Sequence, residues 1–256
     1  QALEAMQSAV ELLPNDAEAH SNLGVMLMNQ GLLHDAVDSY STALALNPLL
    51  FEVQHLLGLT FNTLGKTSEA EQCYLRVLQL NPEYVDALYH LGRIYQQQGR
   101  LADAEQCFRR VLQHHSDISD VHSQLAWVLH WQGKLEEAEH YYRSAIRIDA
   151  NNAQAQGQLA LLLQMQGRFL ESKQMYETAL RLQPEFAELH NNLGIVCHEL
   201  GLAEQAQSAY QNAIRIKNDF FEVYNNLGLS FQRQGRFSDA ELAYRQALQI
   251  NPKHSD

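Results

Sequence analysis

The sequence has few cysteines and none of the short motifs that bind metal or phosphate. Three cysteines among 256 residues are too few, and odd in number, for a disulfide framework. Neither Cys-x-x-Cys nor His-Glu-x-x-His occurs, and no glycine-rich phosphate loop is present. We interpret the cysteines as small buried residues, which is compatible with a reducing compartment and leaves the compartment open. We expect no metal ion, no cofactor and no catalytic residue.

Basic residues are also scarce, with 18 lysines and arginines against 30 acidic residues and a formal net charge of −12. A chain this acidic repels phosphate backbones unless basic side chains cluster, and the densest basic cluster is the pair Arg109-Arg110. Long apolar runs are missing as well, because none approaches the roughly 18 residues that a membrane-spanning helix needs. We therefore expect neither nucleic-acid binding nor membrane insertion.

Glycine and proline are few, and their positions reveal a repeat. Counted in steps of thirty-four from Ala17, the chain has seven full repeats without insertion or deletion, and each position within a repeat defines a column. Column 15 is always glycine, column 8 is glycine or alanine, column 20 is alanine in six repeats, and column 24 is always aromatic. All five prolines share column 32. The chain is therefore built from copies of one small unit.

Each of these columns has a physical interpretation. Apolar or small residues at columns 4, 7, 8 and 11 have helical spacing, and the glycine at column 15 permits the left-handed backbone that ends a helix. A second helix follows with its apolar face at columns 20, 24 and 27, and proline at column 32 ends it. The small residue at column 8 predicts a close approach of this second helix. One such pair cannot bury its faces alone, so the repeats must stack.

The pattern Leu-Gly-x-x-Tyr, then Gly, then Ala-x-x-x-Tyr-x-x-Ala and Pro resembles the tetratricopeptide repeat family, and the resemblance covers essentially the whole chain. It implies an all-α fold, a right-handed superhelical α-solenoid of antiparallel helix pairs whose first helices line a concave face. We predict an N-terminal half unit and seven full 34-residue units in one continuous solenoid domain. The predicted boundaries are 1–16 for the half unit, then 17–50, 51–84, 85–118, 119–152, 153–186, 187–220 and 221–254 for repeats 1 to 7.

In this family the concave face is read mainly at columns 2, 5, 6, 9, 12 and 13. Column 6 carries Asn22, Asn192 and Asn226, which resemble the asparagine ladder that O-GlcNAc transferases use to hold the backbone of a substrate. Gln124 and Gln158 are chemically related members of this column, whereas Leu56 and His90 interrupt it. The alternative is that these amides bridge neighbouring repeats. Column 2 is acidic in six repeats, which favours a basic ligand or simply complements the helix dipole.

Repeat 4 carries the strongest candidate for a binding hot spot. Trp127 and Trp131 are the only tryptophans and lie four residues apart, so a helix places them on one face with His130 beside them. The alternative is that they fill the core. Column 9, which contains Trp127, is apolar in six repeats, Leu161 among them, and basic only at Arg93. It predicts either a docking stripe or packing between first helices.

These patterns predict a non-catalytic scaffold for protein–protein interaction, with an extended or basic peptide or a partner helix in its groove. The predicted partner-binding residues are Trp127, Trp131, His130, Gln124, Asn22, Asn192, Asn226, Arg93, Leu161 and Gln158. One alternative is the substrate-recruiting arm of a larger enzyme such as an O-GlcNAc-transferase-like glycosyltransferase, which a start in mid-unit and an end without a capping helix would suit. Another is a homo-oligomer that assembles through uncapped ends.

Overall fold

The computed structural model describes residues 2–252, which contain fifteen α-helices and no strand. They form two compact bodies that divide between Ser116 and Asp117. The N-terminal body contains α1 (Ala2–Leu12), α2 (Ala17–Asn29), α3 (Leu33–Leu46), α4 (Phe51–Thr63), α5 (Thr67–Leu80), α6 (Val85–Gln97) and α7 (Leu101–His114). The C-terminal body contains α8 (Ser119–Trp131), α9 (Leu135–Ile148), α10 (Ala153–Met165), α11 (Phe169–Leu182), α12 (Ala187–Glu199), α13 (Ala203–Ile216), α14 (Phe221–Arg233) and α15 (Phe237–Ile250).

Every full repeat contributes two helices of constant length. The first helix has 13 residues at columns 1–13, and the second has 14 residues at columns 17–30. Within each body every helix packs against the next, and first helices also touch in the pairs α2–α4, α8–α10, α10–α12 and α12–α14. This architecture confirms the predicted all-α solenoid of stacked helix pairs. The extension into one continuous domain stays a prediction, and residue 1 of the half unit and residues 253–254 of repeat 7 lie outside the described residues.

The turn between the two helices of a repeat is made by the glycine of column 15. All seven of these glycines have positive φ, between 71° and 78°. In repeat 1 the Gly31 N–H donates to the Met28 carbonyl, and the Leu32 N–H donates to the Leu27 carbonyl at 2.9 Å. These two bonds satisfy carbonyls at the helix end, as in a Schellman motif. The predicted left-handed turn is therefore present in every repeat.

The two helices of a repeat meet where the aromatic ring of column 24 lies against the backbone at column 8. A Cβ atom added to Gly24 would lie 2.6 Å from Cε1 of Tyr40, and one added to Gly58 would lie 2.9 Å from Cε1 of Tyr74. Six of the seven column-24 rings are almost completely buried. The small residue at column 8 is thus required by a ring that occupies the place of its side chain.

Polar side chains at column 4 tie the first helix to the loop before it. His20 Nε2 donates to the Pro14 carbonyl at 3.0 Å, and His190 Nε2 donates to the Pro184 carbonyl at 2.8 Å. In repeat 5 the Gln156 amide donates in the same way to the carbonyl of Ala150, at 2.7 Å. Ala150 replaces the usual proline of column 32, so this bond holds a turn that has no proline to restrict its backbone.

Ion pairs at column 16 connect successive repeats on the surface. Arg168 pairs with Glu171 of its own repeat at 2.7 Å and reaches back to Glu139 of the preceding repeat at 2.7 Å. Arg100 makes the equivalent pairs with Asp103 and Glu71, at 2.9 and 2.8 Å. Exposed pairs of this kind add little stability singly, but each one restricts how two neighbouring repeats can rotate.

The buried histidine His55 lies on α4, a first helix of the N-terminal body. His55 packs against Tyr74, Tyr84 and His90, with ring centroids 5.2 to 5.7 Å apart, and its Nδ1 has no hydrogen-bond partner among the described residues. Burial, helped by the nearby His90, lowers the pKa of His55 to about 4, although Asp86 opposes this shift. Burial also lowers the pKa of His90. Both rings therefore stay neutral in the folded state at neutral pH.

We expect Gly24→Ala to lower the free energy of unfolding by about 1–3 kcal/mol, because the new methyl group overlaps the buried Tyr40 ring. In a Tyr40→Leu background the same change should be neutral or stabilising, since alanine is the better helix former by about 1 kcal/mol. Urea denaturation of the four proteins measures this cycle. An equal loss of unfolding free energy in both backgrounds would contradict the contact between residue 24 and the Tyr40 ring.

We expect the free energy of unfolding to fall as the pH decreases from about 6.5 toward 4. In this range the unfolded chain binds a proton at residue 55 that the folded chain, with the pKa of His55 at about 4, does not bind. His55→Phe keeps an aromatic ring in the cluster and removes this dependence. Urea midpoints at about pH 7 and pH 5 should therefore differ less for His55→Phe than for the wild type, and equal differences would contradict the prediction.

Candidate functional site

The candidate site lies on the first helices of the C-terminal body. Helices α8, α10, α12 and α14 form a continuous layer in which each contacts the next. Columns 2, 5, 6, 9, 12 and 13 of these four helices point to one side of the layer, because they lie within a single stripe at helical spacing. This stripe is called the first-helix face.

Four large apolar side chains lie on the first-helix face of the neighbouring helices α8 and α10. The rings of Trp127 and Trp131 are 5.7 Å apart between centroids, so the structure brings the two tryptophans into contact. Trp131 is 62% exposed, and Met165, at the same column of the next repeat, is 64% exposed. Trp127 and Leu161, both at column 9, are half-buried. The residues Trp127, Trp131, Leu161 and Met165 define the apolar patch.

Two of the predicted site residues lie beneath this patch. The ring of His130 stacks on that of Trp131, with centroids 5.8 Å apart, but His130 is only 7% exposed. Gln124 is 6% exposed, and its amide donates to Asp120 on the same helix, at 3.4 Å. Burial also lowers the pKa of His130. These two side chains therefore support α8 and offer little surface to a partner.

A pocket of about 400 Å³ opens beside the patch, between α10 and α12. Its apolar walls are Ala153, Leu161, Phe186 and Leu189. Its polar lining consists of the amides Gln154, Gln158, Gln183 and Asn192 and one carboxylate, Glu188. Three predicted residues (Leu161, Gln158 and Asn192) therefore line one cavity, and Leu161 also belongs to the apolar patch.

Gly157 lines the pocket and allows Leu189 to approach α10 closely. Gly157 occupies column 5, where every other repeat has a side chain, and a Cβ atom at this position would lie 2.9 Å from Cδ2 of Leu189. Gly157 is the one glycine outside columns 8 and 15. That irregularity was the sequence signal for the pocket, and neither Gly157 nor Met165 was among the predicted site residues.

Two asparagines of the proposed ladder, Asn192 and Asn226, hydrogen-bond to Asn191 of column 5. Asn226 Nδ2 donates to Asn191 Oδ1 at 2.9 Å, which links α14 to α12, and Asn191 donates to Asn192 at 3.4 Å. Burial raises the pKa of Tyr176, and a hydrogen bond with the Asn192 side chain opposes this rise. Asn226 therefore bridges neighbouring repeats, which is the alternative considered for this column.

The first-helix face of the C-terminal body is acidic. Its charged residues are Asp120, Glu188, Glu199 and Glu222 against the single base Arg233. Arg233 lies 3.9 Å from Glu199, and Lys217, from the loop after α13, lies 3.8 Å from Glu188. The remaining negative charge favours a basic or neutral ligand over an acidic one.

Two predicted residues belong to the N-terminal body. Asn22 is exposed on α2, and Arg93 is exposed on α6, where its guanidinium donates to the Tyr89 hydroxyl at 3.2 Å.

No group of three or more His, Cys, Asp or Glu side chains among residues 2–252 is arranged to hold a metal ion. The three cysteines are buried, as predicted, and burial raises the pKa of the Cys73 and Cys107 thiols to about 11, so both stay protonated and unreactive. None of the fifteen helices has the length and apolar character needed to cross a bilayer.

Family models cover most of the chain. Models described as "Tetratricopeptide repeat" match residues 17–50, 83–151, 117–185, 175–208 and 221–254. Models described as "TPR repeat" match residues 59–99 and 197–235. A comparison with curated proteins finds no significant match.

Solved structures with the same fold are distant in sequence. A tetratricopeptide repeat protein from Parabacteroides merdae is 17% identical with a TM-score of 0.70, and the match covers 92% of this chain and 93% of that one. For pilF of Pseudomonas aeruginosa the values are 19% identity, a TM-score of 0.71, and coverage of 85% and 97%. YrrB, described as a TPR protein with an unusual peptide-binding site, is 18% identical with a TM-score of 0.63 and coverage of 78% and 99%.

The family matches extend over nearly every repeat, and the helix pairs, glycine turns and ring contacts recur in each. This fold commonly serves protein–protein interaction, and its scaffolds are generally non-catalytic. The chain belongs to the tetratricopeptide repeat family.

Proposed function

We propose that this chain is a non-catalytic interaction scaffold that binds a peptide or a partner helix on the first-helix face of its C-terminal body. The observation that carries the proposal is the apolar patch, in which two tryptophans are in contact on α8 and both Trp131 and Met165 of α10 are largely exposed. Tryptophan is enriched at the centres of interfaces, where it buries a large area, and methionine adapts its shape to a partner.

The charge of the face and the neighbouring pocket support the same proposal. Four carboxylates against one guanidinium attract a partner with basic residues, which agrees with the predicted basic ligand. The pocket gives the face a concave feature beside the patch, and concave sites with apolar walls and a few polar groups are typical of binding sites. Peptide binding also agrees with the structural neighbour YrrB, a TPR protein with an unusual peptide-binding site.

The structure favours this proposal over a transferase-type amide ladder. A ladder that holds a substrate backbone needs amides whose donors and acceptors are free. Asn226 donates a hydrogen bond to Asn191, and Asn192 accepts one from Asn191. These two amides are therefore already partly paired. We therefore assign the main contribution to affinity to the apolar patch.

The double variant Trp127→Ala/Trp131→Ala should lose peptide binding. A random-peptide phage library selected on the wild type supplies the probe, and the enriched peptide is then synthesised and titrated by fluorescence anisotropy. Removal of a true hot spot costs about 2 kcal/mol or more, so the dissociation constant should rise about thirtyfold. Circular dichroism of the variant should match that of the wild type.

Phe237→Ala is the matched control, because Phe237 is a 69% exposed aromatic residue of the same body that lies on a second helix, α15. It should bind the peptide as tightly as the wild type. Equal binding by the double tryptophan variant would contradict the proposal. If the library yields no enriched peptide and the sedimentation coefficient rises with concentration, self-assembly becomes the better account.

A further inference from the structure

The pocket at Gly157 has the chemistry of a receptor for one side chain, and this inference rests on the proposed function of the first-helix face. We infer that it accepts a bulky apolar side chain of the bound peptide, and that a basic residue next to this anchor lies at Glu188. The inference adds a residue class and a charge to the partner, which the apolar patch alone does not define.

The first argument comes from the shape of the pocket. Gly157 lines the pocket without a side chain of its own, and the apolar walls include Leu161, Leu189 and Phe186. Phe186 is 46% exposed, so one of the walls is an aromatic ring turned toward solvent. The volume of about 400 Å³ lies within the range of roughly 300–1,000 Å³ typical of ligand pockets, and it leaves room for a large side chain.

The second argument comes from unpaired amides at the rim. The side chains of Gln154, Gln158 and Gln183 make no hydrogen bond within residues 2–252. Each amide offers a donor and an acceptor, which suits the N–H and C=O groups of an extended peptide that passes over the pocket. An anchor in the pocket and a backbone held at its rim would define the register of the peptide.

The third argument comes from charge. Glu188 is the only charged residue in the lining, and Lys217 lies 3.8 Å from it while about half of each side chain stays exposed. An exposed pair at this distance is weak, so a basic residue of the peptide can compete for the carboxylate. Column 2 is acidic again at Glu222 in the next repeat, which extends the negative surface in one direction.

The test fills the pocket with a side chain at residue 157 and measures whether the anchor residue of the peptide still contributes to binding. Gly157→Leu places a side chain in the cavity, and the only close neighbour of its Cβ is the flexible end of Leu189, so the helix should fold. Gly157→Ala is the milder companion if the larger residue destabilises the chain. The probe is the peptide enriched by phage display on the wild type, together with a copy in which its shared bulky residue is alanine.

On the wild type, alanine at the anchor should weaken binding about tenfold or more. On Gly157→Leu the parent peptide should already bind about tenfold more weakly, and alanine at the anchor should then have little further effect. A second library selection on Glu188→Gln should enrich fewer lysine and arginine residues beside the anchor, whereas the same selection on Lys217→Ala should retain them.

The outcomes separate this inference from the proposed function. If Gly157→Leu binds like the wild type, or if the enriched peptides share no bulky residue, the pocket inference is overturned. Loss of binding by Trp127→Ala/Trp131→Ala in that same experiment would leave the proposed function intact. If the wild type enriches no peptide, both are overturned.

Discussion

The contact between the aromatic ring of column 24 and the backbone at column 8 determines how the two helices of each repeat pack. The ring occupies the space that a side chain at column 8 would need, so the two helices of a repeat can approach closely only where that residue is small. Columns 2, 5, 6, 9, 12 and 13 of the first helix then face away from its partner. The apolar patch and the pocket at Gly157 are therefore consequences of packing that takes place on the opposite side of the same helices.

The fold could be predicted from the sequence because its determinants are local and repeated. Glycine at column 15 specifies a turn by its backbone freedom, and the proline at column 32 specifies a boundary by its missing donor. Each signal occurs five to seven times at constant spacing, so an exception such as Ser172 does not obscure it. In the structure Ser172 keeps its place in the core by donating to the Ala160 carbonyl at 2.7 Å.

The site was only partly predictable, because exposure depends on neighbours that a single helix does not reveal. Helical spacing placed Trp127 and Trp131 on one face, but it could not distinguish the exposed Trp131 from the buried His130 beside it. The pocket combines Gly157 and Leu161 of one repeat with Phe186 and Leu189 around the start of the next, so no single column indicates its shape. The bonds between Asn191, Asn192 and Asn226 are likewise decided by rotamers, which residue types alone do not specify.

The identical helix bounds in every repeat have a consequence for how such a surface can change over time. Since the first helix always occupies columns 1–13, a substitution at an outward column adds, removes or exchanges one group at a fixed step along the layer and leaves the frame unaltered. Gly157 is the example in this chain, because it stands where every other repeat has a side chain at column 5 and it lines a pocket. In a chain of this kind, the partner-binding surface can change one position at a time while the scaffold that carries it stays the same.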